Sequence, residues 1–194
     1  MSKTESTMVT LGTEAPPFEL VDVVSGRAMS RDDVFAAAGD DACGLLVMFL
    51  CVHCPYVKHV EAELARIGED YEGMIAIAAI QSNDIEQYPE DGPEGMKEQA
   101  LRLGFRFPYL LDEMQEVARE YDAACTPDFF LFDASMELVY RGQLDSSRPR
   151  RGGFGNDIPV TGKDLRAALD AVVAGDVPST EQRTSLGCNI KWKQ

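Results

Sequence analysis

Basic side chains are scarce in this chain: 18 Lys and Arg stand against 33 Asp and Glu, for a formal net charge of −15. A surface of that sign repels phosphate backbones and anionic lipid, so neither nucleic acid nor a membrane is an expected partner. Long apolar runs are also lacking. The opening MSKTESTMVT holds none of signal-peptide length and no later stretch reaches membrane-spanning length, which reads as a cytoplasmic protein. There is no internal repeat and no low-complexity block, and tryptophan is reduced to Trp192. What is present is a 45% hydrophobic share, enough for a core that needs no disulfide scaffold. The five cysteines are an odd number, and in a cytosolic chain they point to thiols rather than structural bridges.

The pattern along the chain predicts one α/β domain over 13–175, preceded by a loose polar segment at 1–12 and followed by a tail at 176–194. Gly12 to Val24 reads as an extended entry with a turn at Ser25-Gly26, and 31–38 as a short helix. GLLVMFL at 44–50 is a continuous apolar run suited to a strand buried on both faces. Val57, Val60, Leu64 and Ile67 then recur at three and four residues, a helical stripe. MIAIAAI at 74–80 repeats the strand signal. A loop containing Pro89, Gly92 and Pro93 precedes a helix near 94–103, a strand at 107–112 and a helix at 113–122. DFFLFD and ELVYRGQL form a β-hairpin around Ala134-Ser135-Met136. Thr161 and Asp164 signal the start of a last helix, which ends by Gly175. Strands separated by helices imply parallel pairs, and the late hairpin adds an antiparallel edge, so the fold class is a mixed sheet flanked by helices.

Chemistry concentrates at Cys51-Val52-His53-Cys54-Pro55, between a buried strand and a helix. Free N–H groups and the positive end of the helix dipole stabilise a thiolate there, and the thiolate is the nucleophile. The expectation is that they act on Cys51, the exposed member, while Cys54 lies one turn on and resolves a mixed disulfide. Pro55 suits the first helical turn. His53 either adds positive charge beside the thiols or is a solvated helix-start residue. Thr126-Pro127 enters the hairpin strand, where a proline removes a ladder donor; a cis peptide approaching the thiols and an ordinary trans proline are the two readings.

Together, CVHCPYVKHVEAEL, CTPDFFLFD, ELVYRGQLDSSRP and GCNIKWK resemble the thioredoxin superfamily, in particular the peroxiredoxin-like AhpC/TSA (redoxin) proteins that keep a C-x-x-C. The resemblance runs from Gly12 to Lys193. It implies a thioredoxin-like fold with Cys51 as the disulfide-attacking cysteine, Cys54 as its resolver, Pro127 as the cis-proline and Thr126 facing the disulfide. Cys54 also stands where peroxiredoxins place the peroxide-attacking cysteine. Cys51 replaces their active-site threonine, and Arg141 is the nearest candidate for their arginine. No tryptophan precedes Cys51, and Val-His stands where thioredoxin has Gly-Pro.

Cys43 reads as a small buried hydrophobe. Cys125 and Cys188 are candidate additional redox thiols. A metal reading takes Cys51 and Cys54 with Cys125, Cys188 or His59 as ligands. The run Arg148 to Gly153 is either an anion-binding loop or a solvated one. The leading function is thiol–disulfide oxidoreduction through a Cys51–Cys54 disulfide, with a disulfide or peroxide substrate, a thiol reductant and no cofactor. A thiol peroxidase using Cys54 with Cys51 as resolver, and a non-catalytic metal-holding or interaction module, are the alternatives.

Overall fold

The computed structural model describes residues 3–150 and 155–194. In chain order it contains β1 (Lys3–Glu5), β2 (Glu19–Asp22), β3 (Ala28–Ser30), α1 (Arg31–Ala37), β4 (Gly44–Phe49), α2 (Pro55–Asp70), β5 (Ala76–Gln81), a 3₁₀ turn (Pro89–Asp91), α3 (Pro93–Leu103), β6 (Tyr109–Leu111), α4 (Glu116–Glu120), β7 (Cys125–Thr126), β8 (Asp128–Asp133), β9 (Leu138–Gly142), α5 (Lys163–Val173) and β10 (Leu186–Asn189). Among the described residues no helix is long and apolar enough to cross a membrane.

The apolar run at β4 dictates the centre of the molecule. All six of its residues are buried, and their side chains alternate between two cores. Leu46 and Met48 face α2, α3 and α5, while Leu45, Val47 and Phe49 face α1 and α4. Each such side chain contributes about 1.5–3 kcal/mol by leaving water. The seven-stranded sheet has the order β3-β2-β6-β5-β4-β8-β9. β4 and β6 both run parallel to β5, and β8 and β9 complete an antiparallel hairpin at one edge. The predicted α2 stripe, Val57, Val60, Leu64 and Ile67, is buried as a unit against this sheet.

Two local readings differ from the structure, and a third is extended by it. Residues 1–12 were expected to be loose, but Lys3–Glu5 is a strand because β10 offers it an antiparallel partner. The entry turn at Ser25-Gly26 closes a β2–β3 hairpin whose second strand is too short to show alternation. α5 starts after Gly162 in a left-handed conformation with no side-chain cap, so Thr161 and Asp164 do not form a capping box. Asp164 instead accepts from Gln143 Nε2. A genuine capping box occurs at Ser30 and Asp33, opening α1.

The tail does not trail away. β10 lies between β1 and β7 in a second, three-stranded sheet, with Cys188 opposite Thr126 and Asn189 opposite Cys125. Gly187 permits this approach: a Cβ there would stand 2.1 Å from Thr126 O, a contact no other residue type tolerates.

Candidate active site

β4 delivers Cys51 and Cys54 to the start of α2, and Thr126 arrives from the opposite side. The Thr126–Pro127 bond is cis. Cys51 Sγ lies 3.2 Å from Thr126 Oγ1, and Cys54 Sγ lies 3.2 Å from Thr126 O. One residue thus touches both sulfurs, with its side chain and its backbone. Pro127 O is held in turn by Ser185 Oγ at 2.6 Å, so the tail grips the proline loop.

The helix boundary places the helix end at the other cysteine than expected. Pro55 is the first helical residue, and Cys54 is the N-cap. The helix N–H field therefore acts on Cys54 rather than Cys51. Burial opposes ionisation of Cys54, but hydrogen bonds from the Cys188 and Cys51 thiols, the Val57 N–H and Thr126 outweigh it. The Cys54 thiol is held well below the ordinary range. Burial first, and then the neighbouring Cys54, push Cys51 well above it. Nor is Cys51 the exposed member: both cysteines have 0% exposure.

His53 is placed by a residue the sequence did not single out. Asp91, fully buried in the 3₁₀ turn, accepts from Val52 N at 2.8 Å and His53 N at 3.0 Å through one oxygen. Its other oxygen meets His53 Nδ1 at 2.5 Å and Asn83 Nδ2 at 2.8 Å. The imidazole stacks on Tyr88, 5.2 Å between centroids. The Asp91 hydrogen bond, working against burial, raises the His53 pKa and so favours the protonated ring beside Cys51. A run of acids between Pro89 and Gly92 carries no signal that separates Asp91 from its neighbours. Only the buried end of β5 that it faces does so.

The remaining candidates divide. Cys188 is buried and shares a hydrogen bond with Cys54. Cys125 is directed to Pro127 O at 3.6 Å, and burial pushes its thiol up. Cys43 bonds Met74 O at 3.2 Å. Arg141 is far from its expected role: its guanidinium is committed to Val9 O and Gln182. Of the anticipated metal set, Cys188 joins Cys51 and Cys54 in one buried cluster, while His59 pairs with Ser147 and Cys125 with Pro127. The donor atoms that do converge among the described residues are those of Cys51, His53 and Asp91, within 4.8 Å of one another. Asp91 already spends both oxygens on four donors, which suits an anchor more than a ligand. Of the Arg148–Gly153 run, residues 151–153 lie outside the described residues. Arg148 folds back onto Gln143 Oε1 and the carbonyls of Asp145 and Ser147.

A dithiol at a strand-to-helix junction, faced by a cis-proline loop on a mixed sheet, defines the thioredoxin-like class. Likeness to solved structures agrees: a putative thiol:disulfide interchange protein DsbE from Chlorobium tepidum superposes at TM-score 0.61 over 84% of this chain and 98% of its own, at 14% identity. Within that class, residues 11–141 match the model of the AhpC/TSA family, and the chain belongs to that family. It is similar over its whole length to an uncharacterized conserved protein from Geobacillus kaustophilus, at 52% identity, TM-score 0.91 and 97% coverage of that chain. A hypothetical protein from Sinorhizobium meliloti 1021 is 43% identical, at TM-score 0.89, with 98% of each chain covered. No curated protein matches the chain.

Proposed function

We propose that the protein is a thiol–disulfide oxidoreductase that cycles between the Cys51, Cys54 dithiol and a Cys51–Cys54 disulfide. The observation that carries the reading is Thr126, which contacts both sulfurs at 3.2 Å beside the cis bond. Cys54 is the attacking thiolate. It displaces one half of a substrate disulfide, and Cys51 then attacks the mixed disulfide at Cys54 and releases the other half as a thiol. The His53 imidazolium favours loss of the Cys51 proton in that second step. A small thiol or a thioredoxin-like donor returns the pair to the dithiol.

Burial bears on substrate size. Both sulfurs are closed to solvent, and β10 fills the strand edge of β7 that an extended polypeptide would join. The substrate is therefore a low-molecular-weight disulfide. The reduced protein is expected to react with cystine or oxidised glutathione at least about tenfold faster than with insulin, since a decade needs only about 1.4 kcal/mol of added barrier to displace the tail. Equal rates with both would reject the small-substrate reading, and no reaction with either would reject the oxidoreductase.

A second reading has its own observation. A recessed thiolate at Cys54 also suits hydrogen peroxide or an alkyl hydroperoxide, with Cys51 resolving the sulfenic acid. Against it, Arg141 is tied elsewhere, and position 51 lacks the hydroxyl that would orient a peroxide. Loss of one preorganised donor typically costs about 10²–10³ in rate. Stopped-flow oxidation of the reduced protein is expected to be slow at micromolar peroxide; a fast sulfenic acid on Cys54 reverses the ranking.

A further inference from the structure

We propose that Cys188 is a third redox thiol of this site, and that the Cys51–Cys54 disulfide exchanges with a Cys54–Cys188 disulfide on the tail strand. The proposal rests on the oxidoreductase reading above and adds to it a residue from the other end of the chain.

Register places Cys188 there. β10 pairs antiparallel with β7 so that Cys188 is opposite Thr126, the residue that touches both Cys51 and Cys54. The Cys188 thiol shares a hydrogen bond with Cys54, and Cys54 shares another with Cys51. Cys54 is thus the common neighbour of two thiols that approach it from different elements, one from the end of β4 and one from β10. Cys188 sits in the same buried cluster as Cys51 and Cys54, and there its thiol is paired with Cys54.

The strand that carries it is fastened at several points. Ser185 Oγ donates to Pro127 O at 2.6 Å, and Ser185 N to Ser6 Oγ at 2.9 Å. β1 seals the outer edge of β10. β10 lies on β7 as an extended peptide lies on an open sheet edge, with its cysteine opposite the residue beside the cis-proline. The tail is a tethered occupant of the polypeptide-docking edge, and it brings its own sulfur.

The exchange is balanced without another reagent. Cys188 gives up its proton and attacks Cys54 Sγ. The Cys54–Cys188 bond forms and the Cys51–Cys54 bond breaks. The electron pair leaves on Cys51, which takes up the proton next to His53. No net oxidation occurs; the disulfide moves from the α2 loop to the tail, and Cys51 is restored as a thiol.

The test uses the full chain treated with one equivalent of diamide, quenched with acid, alkylated and mapped by mass spectrometry. Wild type is expected to yield both Cys51–Cys54 and Cys54–Cys188 peptides. Cys51→Ser is expected to form Cys54–Cys188 in most molecules, and Cys188→Ser only Cys51–Cys54. In Gly187→Ala the new Cβ collides with Thr126 O, which forces β10 off β7. The Cys54–Cys188 product should then fall at least tenfold while Cys51–Cys54 persists. If Cys51→Ser leaves Cys54 and Cys188 alkylated while wild type forms Cys51–Cys54, the third-thiol proposal is overturned and the oxidoreductase reading stands. Undiminished Cys54–Cys188 linkage in a folded Gly187→Ala would overturn the part assigned to the strand. Absence of both disulfides in wild type would overturn the reading on which the proposal rests.

Discussion

In the reduced protein a single thiolate is expected to survive well into the acid range, to disappear in Cys54→Ser, and to remain in Cys51→Ser. Ultraviolet thiolate absorbance against pH measures it directly. Pro55 at the first helical position makes Cys54 the N-cap, so the helix N–H end and the Cys188 and Cys51 thiols favour its thiolate. An ordinary thiol of pKa about 8.5 is only about 0.3% ionised at pH 6, so full ionisation raises the thiolate population roughly 300-fold, offset in part by the weaker nucleophilicity of a low-pKa thiolate. Reaction with a small disulfide at pH 6 should therefore fall by about 10²-fold or more in Cys54→Ser. Cys51→Ser should react once and stop, holding the mixed disulfide on Cys54. The linkage to stability has a definite sign. A depressed thiol pKa contributes stability that is fully present above the unfolded-state value and is lost as pH falls toward the folded-state value. Wild type should accordingly lose stability relative to Cys54→Ser on acidification. A thiolate that vanishes in Cys51→Ser and persists in Cys54→Ser would return the nucleophile to Cys51.

The contrast between what was legible in the sequence and what was not follows the range of the interactions. β4, α2 and the α5 stripe are written in local periodicity, and the cysteine pair and Thr126-Pro127 are read from motifs only a few residues long. The order of strands and helices follows from them. The placement of the helix N-cap at Cys54 rather than Cys51 turns on a boundary of three residues, a scale at which sequence signals are weakest. Pro55 did carry the information, since proline favours the first helical position and so makes its predecessor the cap. β10 and β1 are four and three residues long and pair across nearly the whole chain; neither forms without the edge of β7, and no periodicity can announce a strand of that length. Cys188 was visible as a cysteine but not as a neighbour of Cys54, because register alone brings them together. Asp91 is the deepest omission. Asp91 is turned inward while its neighbour Glu90 stays exposed, a difference that no local pattern marks.

Removal of that carboxylate is expected to produce the largest loss of stability of any single change at the site. Asp91→Ala leaves the N–H groups of Val52 and His53, the imidazole and the Asn83 amide without their acceptor, all around a fully buried position. Breaking a buried charged pair by deleting one partner costs about 3–5 kcal/mol. Asp91→Asn is the milder variant: its oxygen can still accept from the backbone N–H groups, but its NH₂ is set against two donors. Both changes should act on the thiols as well. The buried imidazole loses the partner that raises its pKa, and the positive charge that stabilises a departing Cys51 thiolate goes with it. The Cys51–Cys54 disulfide should then be harder to reduce by glutathione. Histidine resonances provide the check, because His53 and His59 are the two histidines of the chain and lie on opposite sides of the ordinary value: Asp91 raises the first, and burial lowers the second. In Asp91→Asn the His53 titration should drop to or below that of a free imidazole, with His59 unmoved. The sign for stability is that of a raised base. The His53–Asp91 contribution is complete below the unfolded histidine pKa of about 6.5 and is lost as pH rises through the higher folded value, so the gap between wild type and Asp91→Asn should be widest in mild acid and narrow toward alkaline pH. A His53 that titrates at or below the ordinary value in wild type, or a stability gap that widens with pH, would mean that Asp91 fixes the loop without charging the ring.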